Sequence, residues 1–211
     1  MKNMKNITEK QLEEIKEDSS ISSIRSKVFD IKNDSIEANT RILLNYGWYI
    51  SSQMKMKKIS EVIELIKSEK TAEAESILIN FFRENLTKIE EQLITKYSDR
   101  KSIFKEAFKA HKSNMFYSSS LLFLSQGDGI INGEIFDNRK NLDKDLDKEK
   151  KPNSVSLLKE DRSINVPSNN INKSKYFSKL NKYYVMQGKS TDYGTEKNSL
   201  KALSLCCFVS D

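Results

Sequence analysis

Apolar residues recur along this chain every three or four positions, which is the spacing of one face of an α-helix. A short stripe of this kind covers positions 59–66, and a longer one follows after a polar break at positions 68–71. The longer stripe comprises Ala74, Leu78, Phe82, Leu86, Ile89, Leu93 and Tyr97. The alternation of apolar and polar residues that is typical of strands does not recur at regular intervals. The pattern therefore predicts an all-α protein with a long helix as its spine.

Four more helices are predicted after this spine. Ser98 or Asp99 is placed to cap the first of them, whose apolar face ends at His111. The segment 116–131 is apolar nearly all round, so it predicts the central buried helix. The last two helices are predicted from about residue 174 to 187, where Gly188 ends the first, and from about residue 195 to 209.

The remaining stretches predict how the chain is organised. Residues 1–50 predict short accessory helices, because Thr8 and Gln11 form a capping-box pattern and Gly47 ends the third of these helices. Residues 51–211 predict the main helical bundle. Within it, residues 137–170 are charged and contain both prolines, so they predict a long flexible loop rather than packed structure.

Some conspicuous residues predict burial rather than chemistry. Trp48, the only tryptophan, predicts a core anchor, with a base-stacking platform as the alternative. Cys206 and Cys207 are adjacent, lack the ligand spacing of a zinc site and predict buried free thiols. No apolar run reaches the roughly 18 to 20 residues of a membrane span, and the first residues lack the apolar core of a signal peptide. We therefore expect a cytoplasmic protein without membrane contact, metal or cofactor.

The net charge admits an anionic partner without specifying one. The chain carries 36 Lys and Arg against 30 Asp and Glu, which gives a formal charge of +6. Clustered cations would fit the phosphates of RNA. The lysines are scattered among acidic residues, however, so an ordinary solvated surface is the alternative interpretation.

Asp128 is the only carboxylate on the predicted central helix, where it shares a face with Leu121 and Leu124. Burial of a carboxylate costs free energy unless a cation or hydrogen-bond donors meet it, so this position predicts a partner. The alternative is that Asp128 caps a helix end loosened by Gly127 and Gly129.

A segment near the C-terminus matches the spacing of a known sequence motif, but the residues at its key positions differ. Positions 181–188 contain Lys182, Tyr183, three spacers, Gln187 and Gly188. This frame resembles the helix of HEPN-type proteins of bacterial toxin and phage-defence systems, which carries Arg, a polar residue, three spacers and His, often followed by Gly. Further pieces resemble the family in the same order, namely GWY from Gly47, EAFKAH from Glu106, the Leu-rich helix ending in QGDG, and DYGTEKNSLKALSL from Asp192.

The resemblance implies an antiparallel helical bundle that forms a homodimer or assembles with another defence protein. It also implies metal-independent cleavage of RNA by the substrate's own 2′-hydroxyl. Lys182 stands where the family has its phosphate-binding Arg, Tyr183 replaces the polar neighbour, and Gln187 replaces the proton-transferring His. Gln187 cannot exchange a proton at pH 7, and loss of a general acid or base costs about 10²- to 10⁴-fold in rate. The alternative is that all three are ordinary surface and packing residues.

Three functions remain open from the sequence. The first is a catalytically degenerate component of a bacterial defence or toxin–antitoxin system that binds RNA or protein. The second is an active metal-independent endoribonuclease, which requires His111 to meet Lys182 in one cleft, although a lone His on an apolar face is more typical of core packing. The third is a helical adaptor that binds a partner protein through an apolar patch formed by Ile21, Ile24, Val28 and Ile31.

Overall fold

Helices are the only regular elements in the described part of the chain, which comprises residues 38–132, 158, 178 and 180–211 of the computed structural model. The predicted all-α class is therefore confirmed. Helix α1 covers residues 38–45, and the others are α2 (Met56–Lys67), α3 (Thr71–Lys96), α4 (Lys101–Lys112), α5 (Phe116–Ile130), α6 (Lys182–Met186) and α7 (Glu196–Ser210). A short 3₁₀ helix, Ser98–Arg100, joins α3 to α4. None of these helices is long and apolar enough to cross a membrane.

Helix α1 is closed by Gly47, as its sequence predicts. Gly47 has a φ of +75°, its N–H donates to Leu44 O, and the N–H of Trp48 donates to Leu43 O, which are the two hydrogen bonds of a Schellman cap. The turn delivers Trp48 to the core, where it is 1% exposed and stacks on Phe82 with 5.9 Å between ring centroids. The predicted core anchor is confirmed, and a base-stacking platform at this residue is excluded.

Helix α3 is the longest described element, and it buries most of the predicted stripe, whereas Leu86 and Tyr97 are only partly buried against the core. Its buried residues are Ala74, Leu78, Phe81, Phe82, Ile89 and Leu93. Helix α2 packs against α3 and buries Ile59, Val62 and Ile63. The spacing of three and four therefore identified the faces that these two helices turn to the core.

The junction between α3 and α4 differs from its prediction. Ser98 and Asp99 lie within the 3₁₀ helix, and α4 has no side-chain cap. The 3₁₀ helix instead leads directly into α4, and the N–H of Arg100 donates a hydrogen bond to Tyr97 O. Helix α4 nevertheless buries the predicted residues Phe104, Ala107, Phe108 and His111.

Helices α5 and α7 make the most extensive contact between described helices, and small residues permit their close approach. A Cβ atom added at Gly127 would lie 3.0 Å from Leu205 Cδ2, so the side chain of Leu205 fills the space beside this glycine. Near the other end of α5, Ser119 Oγ and Ser199 Oγ are 2.7 Å apart. Gly127, the first glycine of the QGDG sequence, thus allows α5 and α7 to pack closely.

Helix α5 is not buried on all sides, which corrects its prediction. Tyr117 is 50% exposed and Leu121 is 37% exposed, one turn apart on the same side. Other sides pack against α4 and α7, so the neighbours enclose only part of the circumference. Asp128 lies on the same face as Leu121 and Leu124, as predicted, but that face is exposed at Leu121 and buried at Leu124 and Asp128.

Helix α6 is shorter than predicted. Leu180 and Asn181 are not helical, so the helix does not begin at residue 174. Asn181 sets the start, because its side chain accepts hydrogen bonds from the N–H groups of Tyr183 and Tyr184 and caps the first turn. The end agrees with the prediction, since Gly188 follows the last turn with a φ of +67°.

Helix α7 begins after Thr195, whose side chain accepts a hydrogen bond from the N–H of Asn198. The start and the end both lie within one residue of their predictions. The helix is buried along most of its length, including the predicted Leu200, Leu203 and Cys207. Cys206 and Cys207 are free and buried, as their apolar surroundings predict.

Several predictions fall outside the described residues. They concern the capping box at Thr8 and Gln11, the accessory helices before residue 38, the apolar patch of the adaptor hypothesis and most of residues 137–170. Within that last range, Leu158 is described, and it is helical and buried in the core. The domain boundary at residue 50 stays a prediction, although Leu43 and Trp48 belong to the same core as the later helices.

Replacement of Gly47 by Ala should destabilise the protein far more than the same replacement at Gly188. Both glycines have positive φ, so an added methyl group strains either backbone by about 1 kcal/mol. At Gly47 the new Cβ would also overlap the side chain of Ser178, whereas at Gly188 it would meet no atom within 4 Å. In urea unfolding we expect a loss of about 1 kcal/mol for Gly188→Ala and about 2 to 4 kcal/mol for Gly47→Ala. Equal losses would contradict the packing of Ser178 on this turn.

Candidate functional site

The motif helix turns its lysine into the protein. Lys182 is the first residue of α6, directly after the cap formed by Asn181, and only 2% of its surface is exposed. Loss of water around the ammonium group lowers the pKa of Lys182 to about 8, while the charge of Asp128 acts in the opposite direction. Lys182 is therefore a buried cation rather than a surface group.

Asp128 supplies the negative charge that Lys182 experiences. It is 7% exposed and lies in α5, which contacts α6. The sequence predicts either a cationic partner for this carboxylate or a role as a cap at a loosened helix end. The structure favours the first interpretation, because Asp128 is buried inside the helix and its charge stabilises the protonated form of Lys182.

Tyr183 adds an aromatic contact to this pair. Lys182 Nζ lies 4.5 Å from the centroid of the Tyr183 ring, within the range of a cation–π interaction. Tyr183 is half-buried. The ammonium group thus has both a carboxylate and a ring around it, and a phosphate would have to enter a site from which water is largely excluded.

Gln187 does not join this arrangement. It is the exposed C-cap residue of α6, and its N–H donates to Tyr183 O. Five residues separate it from Lys182, which on an α-helix corresponds to about 140° around the axis. The two motif positions of one copy therefore point to different sides of α6.

His111 lies in a separate buried polar cluster. Its Nδ1 is hydrogen-bonded to Ser199 Oγ at 2.8 Å, and Ser199 Oγ is hydrogen-bonded to Ser119 Oγ. The imidazole is 6% exposed and meets the Phe116 ring edge to face. Burial lowers the pKa of His111, and the charge of Glu196 opposes this shift. The interpretation of His111 as a packed core residue fits these contacts.

Helix α5 separates the histidine cluster from the lysine pair. Ser119 belongs to the first and Asp128 to the second, and they are two and a half turns apart, or about 13 Å along the helix axis. Neither Lys182 nor His111 is among the groups that shift the pKa of the other. Within one copy, the two residues thus do not share the cleft that the endoribonuclease hypothesis requires.

A second buried lysine was missed by the sequence interpretation. Lys201 is 3% exposed, and its Nζ lies 2.9 Å from Glu75 Oε1. The other oxygen of Glu75 pairs with Lys197 Nζ at 2.9 Å, and Trp48 Nε1 donates to Oε1 at 3.4 Å. Burial alone would raise the pKa of Glu75, but the charges of the two lysines hold it below its ordinary value.

The sequence contains a weak signal for this cluster. Lys197 and Lys201 are four residues apart and therefore lie on one face of α7. Lys201 also interrupts an apolar run that predicts a buried helix, so it requires a counter-charge. The partner Glu75 is on α3 and cannot be identified from spacing along the chain.

Among the described residues, the candidate site holds charge but gives Lys182 no second group that exchanges a proton near neutral pH. Lys182 and Asp128 compensate each other, Gln187 has no titratable group, and His111 is bound elsewhere. In the described ranges no three His, Cys, Asp or Glu side chains are grouped so that they could hold a metal ion. Comparison with protein-family models, with curated proteins and with solved structures found no match to this chain.

Removal of the Asp128 charge alone should destabilise the protein, whereas removal of the Asp128 and Lys182 charges together should restore its stability. Asp128→Asn leaves the Lys182 cation buried without its counter-charge, which costs about 3 to 5 kcal/mol. The variant Lys182→Met with Asp128→Asn contains no buried charge at this site and should lie within about 1 kcal/mol of the native protein. Urea unfolding at pH 7 of the native protein, both single variants and the double variant measures the coupling. Additive losses would contradict a direct pair.

The stability of the Asp128→Asn variant should depend on pH, and the direction of this dependence tests whether a buried lysine cation causes the loss. Without Asp128 the folded-state pKa of Lys182 falls below about 8, whereas the unfolded value stays near 10.5. Between these values the unfolded state binds more protons, so stability rises with pH. The deficit of Asp128→Asn relative to the double variant should therefore shrink from pH 7 to pH 9.

Proposed function

We propose that this chain is a HEPN-type protein of a bacterial defence or toxin–antitoxin system that binds rather than cleaves. The observation that carries the proposal is the buried pair of Lys182 and Asp128. In the motif frame, Lys182 occupies the position of the phosphate-binding cation, yet it is buried and the charge of Asp128, a carboxylate of its own fold, acts on it. The position thus has a structural use that does not require a substrate.

The absence of a proton-transferring neighbour supports the same proposal. Cleavage by a substrate 2′-hydroxyl needs a group that exchanges a proton near neutral pH and a cation beside the phosphate. Gln187 lacks such a proton, and the imidazole of His111 is engaged by Ser199 in another part of the fold. Among the described residues, the motif helix thus offers neither a second proton-exchanging group nor an exposed cation for a phosphate.

An exposed apolar strip on α5 favours a role in assembly. Tyr117 and Leu121 lie one turn apart and expose 50% and 37% of their surfaces. Tyr117 is held in place, because its hydroxyl donates to Thr191 O and its ring meets Tyr193 edge to face at 5.0 Å. A fixed, exposed aromatic residue beside an aliphatic one is suited to protein contact. We take a second copy of the chain as the occupant.

An active metal-independent endoribonuclease remains the alternative function. It would need His111 and Lys182 to meet across a dimer, since they do not meet within one copy. The adaptor hypothesis through the N-terminal helices concerns residues outside the described ranges and stays a prediction.

Ribonuclease assays of the native chain and its reversion test the proposal directly. We expect the native protein to leave RNA intact in the presence of a chelator, and Lys182→Ala to behave in the same way. The double variant Lys182→Arg with Gln187→His restores the family letters, and toxicity or cleavage confined to it would identify the native chain as a disarmed relative. Cleavage by the native protein that Lys182→Ala abolishes would overturn the proposal.

A charge placed on the α5 strip should weaken self-association. Leu121→Glu would bury a carboxylate in the proposed contact. We therefore expect the dissociation constant of the dimer to rise by at least tenfold, as measured by light scattering over a concentration series. Ile103→Glu is the matched control, because Ile103 on α4 is also 37% exposed. If the native chain is monomeric, or if both variants behave alike, the α5 strip is not the contact.

A further inference from the structure

A cavity of about 490 Å³, here called the α3/α7 cavity, lies among three parts of the described chain. Its walls are the turn at residues 51–54, the second half of α3 and the end of α7. Its floor is apolar, because it is formed by the buried side chains of Ile89, Leu93 and Cys207. Sites for small organic molecules have volumes of roughly 300 to 1,000 Å³ and mostly apolar linings. The cavity therefore has the size and the floor of such a site.

Hydrogen bonds between the walls hold the α3/α7 cavity in shape. Gln53 Nε2 donates to Gln92 Oε1 at 2.6 Å, which joins the turn to α3. The N–H of Ser52 donates to Asp211 Oδ2 at 2.6 Å, which joins the turn to the residue after α7. A ligand would therefore enter a site whose walls are already ordered, and this lowers the entropic cost of binding.

The charged residues of the lining are already engaged or screened. Lys96 Nζ donates to Ser210 O and thereby joins α3 to α7, while the carboxylate of Asp211 accepts from the turn. Glu91 is exposed, so water screens its charge. A charged ligand would have to replace one of the hydrogen bonds between the walls. The α3/α7 cavity therefore favours a neutral molecule.

Two neutral polar atoms of the lining have no hydrogen-bond partner among the described residues. They are Gln53 Oε1 and Ser210 Oγ, and both are shielded from solvent. Such an atom has lost its water without gaining a partner, which costs free energy. An amide oxygen only accepts and a hydroxyl oxygen can accept, so both atoms suit an N–H or O–H group of a ligand. Since both residues line the cavity, a change of side-chain torsion suffices to bring either atom to a ligand.

We propose that the α3/α7 cavity binds a neutral small molecule that has an apolar body and at least one hydrogen-bond donor. The apolar body covers the floor of Ile89, Leu93 and Cys207, and the donor pairs with Gln53 Oε1 or Ser210 Oγ. This inference goes beyond the proposed function. The cavity shares no residue with the buried lysine–aspartate pair or with the α5 strip.

Binding of a matched set of indoles tests the inference. Indole is a neutral aromatic molecule with one N–H donor, and N-methylindole is the same ring system without that donor. At neutral pH tryptamine adds a positive charge to indole, and indole propionate adds a negative charge. Each compound is titrated into the full chain. Binding is followed by NMR at the methyl groups of Ile89 and Leu93, which report on the cavity itself.

Two double variants separate the unpaired atoms from the other polar groups of the lining. The test variant, Gln53→Met with Ser210→Ala, removes the two unpaired atoms. The control variant, Gln92→Met with Thr95→Val, removes an amide and a hydroxyl group from the same lining. Both variants break the hydrogen bond between Gln53 and Gln92, so the loss of this bond cannot explain a difference between them. Urea unfolding of both variants checks that the fold is retained.

We expect the native chain to bind indole with a dissociation constant of about 1 mM or lower. N-methylindole should bind about three- to tenfold more weakly, because a neutral hydrogen bond contributes a factor of about this size. The test variant should lose this preference for indole, and the control variant should keep it. Both charged indoles should bind to the native chain more weakly than indole, because the charges of the lining are engaged by the walls or screened by water.

Four outcomes would overturn the inference. They are unchanged methyl signals of Ile89 and Leu93 in the presence of indole, equal binding of indole and N-methylindole, tighter binding of a charged indole, and loss of the preference in both variants. None of these measurements involves RNA or self-association. The proposed function would therefore stand if the cavity did not bind the indoles, and the cavity would keep its ligand if the proposed function failed.

Discussion

The close contact between α5 and α7 is the constraint on which the described fold depends. It is possible because small residues line both helices, so that Ser119 reaches Ser199 at one end and Leu205 fills the space beside Gly127 at the other. The serine hydroxyls satisfy each other inside the core, which avoids the cost of burying polar groups alone. This contact also sets the position of the candidate site, because α5 carries Asp128 towards α6.

The two buried lysines illustrate how a fold can retain charged residues that its own carboxylates compensate. Lys182 and Lys201 are both nearly fully buried, and each experiences one carboxylate from a distant part of the chain. Such pairs contribute little net stability, but either partner is costly to remove alone. A cation at a motif position can therefore persist for structural reasons.

Local features of the fold, such as helix ends and buried faces, could be predicted from the sequence. Contacts between residues far apart in the sequence could not. Gly47 and Gly188 mark helix ends because both adopt positive φ, and the stripe on α3 marks a buried face because its period matches the helix. The start of α6 was misplaced because Asn181 prefers to cap, which apolar spacing does not reveal. Leu121 looked buried because composition does not show how many neighbours surround a helix. The pairing of Lys201 with Glu75 depends on how α3 and α7 pack, which no local pattern contains.

The burial of both cysteines in α7 has a consequence for how motions of this protein can be observed. Cys206 and Cys207 are the only thiols of the chain, and burial raises the pKa of both, so the reactive thiolate is suppressed in the folded state. Cys206 also donates to Phe123 O across the contact with α5. Alkylation of Cys206 therefore has to wait until α7 separates from α5. The rate at which a thiol reagent labels Cys206 would report the frequency of that opening, without any engineered probe.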